Sequence, residues 1–200
     1  VVEPADPTFW PAVERQLTVT LDDLLVEDGR IAPFHTSGPN YTAMGRFGNT
    51  MLIGGEVAAE LSADLGEVVR FYFTNTANTR VFNVGFDKAR MKLVGGDSGR
   101  VEQEAFVNEV MLAPSERIVV DVLFDQPGLV TLEHRHPERT YPLASVTVGE
   151  ATAEPELSKQ FAVLDAARKR GDHAAVIAEA DRLIAESPQN AGRVFMHKMT

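Results

Sequence analysis

Apolar and polar positions alternate over short stretches along most of the first 150 residues. In the segment 15–21 (RQLTVTL), leucine and valine fall on one face and threonine on the other, as in a half-buried strand. Comparable runs, each ended by glycine, proline or asparagine, predict further strands at 50–53, 67–74, 81–86, 90–94, 105–112, 117–124, 128–133 and 143–148. Short strands at this spacing are typical of an all-β sandwich or barrel. We expect a Greek-key β-sandwich without a helix between residues 50 and 148.

Two parts of the chain depart from this alternation. Residues 28–49 show no sustained period and predict a long surface connection over the sandwich, which is uncommon unless it covers or contacts something. Beyond Pro155, apolar residues recur at helical spacing, and the pattern breaks at Gly171 before a second stripe over 173–186. The sequence therefore predicts a β-sandwich over 1–149, followed over 150–200 by a helical linker and a first strand of a following domain.

Charge separates the same two parts. Residues 1–150 carry 12 Lys and Arg against 22 Asp and Glu, whereas residues 151–200 carry 7 of each, so the net charge of −10 lies on the predicted sandwich. Such a field repels a phosphate backbone, and we expect no nucleic-acid partner. No apolar run approaches the ~18 residues that would cross a membrane. The chain has no cysteine, which excludes disulfides and cysteine-ligated metal centres.

His134 and His136 are the one histidine pair with the spacing of metal ligands. Alternate residues of a strand lie on the same face, near enough for two imidazoles to share an ion. Catalytic zinc and copper sites use about three or more protein ligands, and a third donor would have to be His35, Glu133 or Glu138. The simpler interpretation is a pair of solvated histidines at the end of a strand.

Other candidate chemistry is weak. The glycine-rich run 95–99 (GGDSG) lacks the spacing of a nucleotide-binding loop and predicts a tight connection between strands. Carboxylates are plentiful but none is set apart as a proton-transfer pair. Arg70, Arg80, Arg117 and Arg139 are expected to pair with carboxylates across the sheet, and Trp10 to anchor the entering chain. From these patterns we therefore predict no catalytic, cofactor-binding or metal-binding residue in this chain.

An ordered set of segments resembles a cupredoxin domain of the multicopper oxidases. The match extends over residues 15–148, and the order of its segments is more specific than any single one. The segments are 44–49 (MGRFGN) with 51–55 (MLIGG), 66–75 (GEVVRFYFTN), 82–86 (FNVGF), 91–99 (MKLVGGDSG) and 110–117 (VMLAPSER).

The resemblance is to the middle domain of three-domain, laccase-like enzymes. In that family the outer domains hold the copper ligands and the middle domain lacks them. This chain likewise has no His-Cys-His run and no axial-methionine motif, and the surroundings of His134 and His136 do not match the family's copper strand. By resemblance, residues 151–192 would be the passage to the third domain and residues 193–199 its opening strand.

The resemblance implies a structural role without copper in this chain, between flanking copper-binding domains of the same protein. The parent would couple one-electron oxidation of phenols, aromatic amines or metal ions to reduction of oxygen to water, in a periplasmic or secreted location. The chain alone is expected to be inactive, with homo-oligomerisation possible. Two alternatives remain open: a stand-alone β-sandwich binding module whose helical hairpin docks a partner, and a mononuclear metal enzyme that uses His134 and His136.

Overall fold

The structure of the chain is a computed structural model that describes residues 4–6, 9–11, 13–34 and 38–150, together with Ala174, Ala178 and Arg182. Within the range 4–150 the described residues form thirteen strands and one short helix. These elements are β1 (Arg15–Leu24), β2 (Val26–Glu27), β3 (Arg30–Ile31), α1 (Gly38–Met44), β4 (Thr50–Ile53), β5 (Ala59–Ala63), β6 (Val68–Asn75), β7 (Phe82–Phe86), β8 (Arg90–Gly96), β9 (Gly99–Val107), β10 (Val110–Leu112), β11 (Arg117–Leu123), β12 (Gly128–His136) and β13 (Arg139–Val148).

Eleven of these strands form two sheets. One sheet has six strands in the order β4-β1-β6-β11-β8-β9, and the other has five in the order β10-β7-β12-β13-β5. Neighbouring strands are antiparallel except for the pairs β1–β6 and β5–β13, which are parallel. β2 and β3 form a separate small hairpin. The predicted all-β sandwich is confirmed, and no helix lies between residues 50 and 148.

The core lies between the two sheets and is built from the apolar positions of the alternating pattern. Phe71 and Phe73 of β6 project into it one above the other, with ring centroids 5.4 Å apart. Phe86 of β7 packs against Phe71 at 5.3 Å and against Phe124 at 5.9 Å. Rings packed in this way bury a large apolar area and hold the sheets at a fixed separation.

The structure corrects the sequence pattern at two places. The run 105–112, predicted as one strand, is the end of β9 in the six-stranded sheet followed by β10 in the five-stranded sheet. The chain changes sheets at Asn108 and Glu109, a step that alternation alone does not signal. The strand β5 was not predicted, because its sequence AELSA contains few residues that favour strands.

The connection over residues 28–49 contains more structure than its sequence indicates. β3 closes a hairpin with β2 across the turn at Asp28 and Gly29, and α1 follows. Within the predicted helix 173–186, Ala174, Ala178 and Arg182 are helical. The remainder of the predicted linker and following strand lies outside the described residues, and the boundary at 149/150 stays a prediction. Among the described residues no helix is long and apolar enough to cross a membrane.

Candidate functional site

His134 lies in the core, although the sequence predicted a solvated side chain. It is 2% exposed, and its ring stacks on Tyr141 with centroids 5.7 Å apart and meets the edge of Phe82 at 5.1 Å. Strand alternation places residue 134 on the inner face of β12, with Val130 and Leu132. Spacing determines the face of a strand but not how far the neighbouring strands cover it, and for this reason burial was missed.

A hydrogen bond from the adjacent strand orients the His134 ring. The backbone N–H of Asn83 donates to Nδ1 at 3.0 Å. Nε2 is buried and has no hydrogen-bond partner among the described residues. Burial lowers the pKa of His134 below 6.5, and the positive charge of Arg80 lowers it further. At neutral pH, His134 is therefore a neutral, packed ring.

His136 does not complete a metal site with His134. It is exposed, its ring centroid is 6.4 Å from that of His134, and its Nδ1 accepts a hydrogen bond from the backbone N–H of Glu138. Within the part of the chain that the structure describes, no three His, Cys, Asp or Glu residues are placed to hold an ion. His35, His173 and His197 lie outside that part. The described donors do not fit a copper centre, which needs cysteine or several imidazoles.

A row of charges is buried on the outer face of the six-stranded sheet. Arg70 of β6, Asp121 of β11 and Lys92 of β8 lie directly opposite one another in register, with alternating sign. Arg70 donates two hydrogen bonds to Asp121, from Nε at 2.7 Å and from a terminal nitrogen at 2.8 Å. Burial alone would lower the pKa of Arg70, but the bonds to Asp121 raise it above its ordinary value. The predicted pairing of Arg70 across the sheet is thereby confirmed. The same prediction is wrong for Arg139, whose guanidinium lies 4.9 Å from the Tyr141 ring and has no carboxylate partner among the described residues.

The row continues to the edge of the sheet. Lys92 donates to Glu104 of β9 at 2.8 Å, and Arg100 donates to the other oxygen of Glu104 at 2.7 Å and 3.0 Å. Burial lowers the pKa of Lys92, and the bond to Glu104 opposes this shift. Paired hydrogen bonds therefore join β6 to β11 and β8 to β9, and these five charged side chains do not offer an open anion site.

The N-terminal segment covers this row. The Trp10 ring lies 5.3 Å from the Arg70 guanidinium. The carbonyl of Pro11 accepts from Arg70 at 2.8 Å, and the carbonyl of Phe9 accepts from Arg100 at 2.9 Å. The predicted anchoring role of Trp10 is confirmed, since its ring fits against Gly95, where an added Cβ would lie 2.5 Å from the indole.

A second ion pair fixes the surface segment 26–49. Arg80 donates from Nε to Asp23 of β1 at 2.8 Å and from a terminal nitrogen to the carbonyl of Gly48 at 2.7 Å, while Asp23 also accepts from the Gly48 N–H. Nearby, the Arg46 guanidinium lies 4.9 Å from the Phe34 ring. This segment presents apolar side chains to solvent at Phe34, Met44 and Phe47, which are 40%, 78% and 57% exposed.

The sequence matches no protein-family model and no curated protein. Solved structures do match. A multicopper oxidase from Pseudomonas thermotolerans is 24% identical with a TM-score of 0.65, and the match covers 78% of this chain and 36% of that one. A Campylobacter jejuni multicopper oxidase described as a metallo-oxidase is 23% identical with a TM-score of 0.57, covering 70% and 31%. A laccase from Pediococcus acidilactici is 22% identical with a TM-score of 0.58, covering 70% and 30%.

These matches decide the fold. The chain has the fold of a cupredoxin-like domain of the multicopper oxidases. It spans about a third of the length of the oxidases it matches. At this level of identity the likeness concerns the fold, and what the residues do has to be argued from their own chemistry.

Proposed function

We propose that this chain is the copper-free middle domain of a multicopper oxidase and acts as a scaffold between two copper-binding domains. The proposal is carried by a multicopper-oxidase domain fold in a chain without cysteine, whose described residues include no set of donors that fits copper. A domain with this fold in such an enzyme contributes by its shape and its surfaces.

The scaffold role rests on how the sheets are held. On the outer face, side-chain hydrogen bonds join β6 to β11 through Arg70 and Asp121 and β8 to β9 through Lys92 and Glu104, while the aromatic core fixes the separation of the sheets. With hydrogen-bonded charges on the outer face of the six-stranded sheet and the aromatic core on its inner face, the sandwich keeps its loops at constant positions. Electron transfer between copper centres in separate domains requires such constancy, because the distance between donor and acceptor has to be kept.

The surface segment 26–49 is suited to form one wall of a substrate entrance. It presents Phe34, Met44 and Phe47 to solvent, and the cations Arg46 and Arg80 fix it from below. Aromatic and thioether side chains pack well against aromatic substrates. In the parent enzyme, we propose, the substrate is a phenol, an aromatic amine or a metal ion, which is oxidised one electron at a time as oxygen is reduced to water.

The partners in this proposal are the flanking copper domains of the same polypeptide, and its location is outside the cytoplasm, in the periplasm or secreted. The cysteine-free composition is compatible with an oxidising compartment. The predicted helical passage over 150–200 would connect the sandwich to the next copper domain.

Copper titration of the full 200-residue chain tests the absence of a copper site. We expect no stoichiometric Cu(I) or Cu(II) after dialysis, and no oxidation of a laccase dye. The variant His134→Ala/His136→Ala is the matched comparison and should retain the same trace of metal as the unsubstituted chain. Stoichiometric copper that disappears in the variant would instead support the mononuclear metal enzyme.

A further inference from the structure

A slot opens at the side of the sandwich where β1 of one sheet faces β5 of the other. Its volume is about 200 Å³. Leu17 and Val19 of β1 line one side, Ala59 and Leu61 of β5 line the other, and Ile53 is part of the lining. Leu17, Ala59 and Leu61 are only half-buried, so the slot presents an apolar lining to solvent.

Both strands that line the slot have an edge without a strand partner among the described residues. β4 pairs with β1 only from Leu21 to Leu24, which leaves the outer edge of the first half of β1 open. β5 is the last strand of its sheet and pairs only with β13. The opening is closed at one end by Arg15, which donates to the carbonyl of Ser62, and at the other by the Gly54 N–H, which donates to the carbonyl of Thr20.

Two carboxylates lie at the slot. Glu56 and Glu60 are both exposed and belong to its lining. No described Lys, Arg or His forms an ion pair with either of them, whereas Asp121 and Glu104 on the outer face of the six-stranded sheet are both paired. An open strand edge that carries an apolar lining and unpaired negative charge is a template for strand addition by a basic segment.

We propose that this slot binds an extended, basic segment of a partner polypeptide. The segment adds a strand to the free edge of β1, places an apolar side chain between Leu17 and Leu61, and pairs its Lys or Arg residues with Glu56 and Glu60. A second copy of this chain is a poor occupant, because it carries a net charge of −10 toward a slot that is already negative. The inference does not depend on the proposed function.

Fluorescence anisotropy with the full chain and three labelled peptides tests the inference. The first peptide is Thr-Arg-Val-Arg-Val-Arg-Thr, the second has Glu for each Arg, and the third has Pro for the central Arg. We expect the first to bind and the other two to bind at least about tenfold more weakly, because they lack the charges or a ladder N–H. Binding should slow amide exchange in residues 15–20.

Two variants locate the site. Glu56→Gln/Glu60→Gln should weaken binding of the Arg peptide by about three- to tenfold, while Glu102→Gln/Glu138→Gln, which removes the same charge elsewhere on the surface, should leave it unchanged. Leu61→Arg should abolish binding by filling the slot. The proposal would be overturned by any of three results. These are equal affinity for all three peptides, protection from amide exchange confined to β9, and concentration-dependent dimers that persist in Glu56→Gln/Glu60→Gln.

Discussion

Arg70 and Asp121 show how single residues stabilise this sandwich. Both side chains are nearly completely buried, and they satisfy each other through two hydrogen bonds. Burying an ion is costly, so such a pair stabilises the fold only while both partners are present. The sequence predicted that Arg70 pairs with a carboxylate, because opposite charges on adjacent strands attract. The burial of the Arg70 side chain depends on the Trp10 ring that covers it, and the strand pattern does not predict this contact.

Replacement of one partner is therefore strongly destabilising. We expect Asp121→Asn to lower the free energy of unfolding by about 3–5 kcal/mol, because Arg70 would keep its charge in a buried position. Urea denaturation measures the change. The matched control is Asp97→Asn at the exposed pair with Arg117, which should cost at most ~1 kcal/mol. Equal losses at the two sites would contradict the role given to burial.

His134 makes stability depend on pH. Its pKa in the folded protein is lower than in the unfolded chain, so the unfolded chain takes up the proton first. The free energy of unfolding should be constant above the ordinary pKa and should fall as the pH drops through about 6.5, by at most about 1.4 kcal/mol per pH unit.

Denaturation curves between about pH 7.5 and 5.5 check this dependence, since histidines are the side chains whose ordinary pKa lies there and only a group whose pKa changes on folding contributes a slope. The groups around His134 are Arg80, Asp23, His136 and Tyr141. His134→Phe should lower stability at every pH but remove the slope, whereas His136→Gln should keep it. A slope that persists in His134→Phe would assign the titration to another group.

At the scale of elements, the N-terminal segment acts as a strap over the charged row. Phe9, Trp10 and Pro11 contribute one ring and two carbonyls to Arg70 and Arg100. We expect Trp10→Ala to cost about 2–4 kcal/mol and to speed proteolysis of the segment before β1, because the ring both packs on Gly95 and covers Arg70. Leu129→Ala, at an exposed apolar residue, is the control and should change neither measurement.

The surface segment 26–49 depends on a close approach of two backbones. A Cβ at Gly48 would lie 2.6 Å from backbone atoms of Leu24, which cannot move without disturbing β1. Gly48→Ala should therefore break the bonds of Gly48 to Asp23 and Arg80 and raise amide exchange over 45–49. Gly149→Ala is the steric control, because its backbone is not left-handed and a Cβ there would meet only the Ala63 carbonyl, at 4.0 Å. Unchanged exchange in Gly48→Ala would show that the segment is held elsewhere.

The strands that the sequence predicted and those it missed differ in chemistry. β6 and β11 are rich in β-branched residues, with two phenylalanines in β6, and were predicted within one residue of their observed ends. β5 contains alanine, glutamate and serine and is a strand because β13 pairs with it. The sequence also gives no sign of the boundary between β9 and β10. The chain passes from one sheet to the other there without a change in the pattern of apolar and polar residues.

At the scale of the whole molecule, the spacing of short strands and turns and the order of the matching segments predicted the fold correctly. The matched oxidases share that fold over most of this chain, and the chain covers only about a third of each. His136 is exposed at the end of β12, as the sequence predicted, but His134 is buried rather than solvated, because spacing along a strand does not show how far the neighbouring strands cover a residue. The assignment of this domain to the middle of an oxidase therefore depends on copper ligands that would lie before and after the sandwich in the parent polypeptide.

The mass and copper content of the native polypeptide that contains this sequence test the central claim most directly. Immunoprecipitation from the source cells followed by mass spectrometry and elemental analysis would give both values. We predict a substantially longer polypeptide that contains copper, with His-x-His pairs before this sandwich and a His-Cys-His run after it. A polypeptide of this length alone, without copper, would contradict the scaffold function and favour a stand-alone binding module.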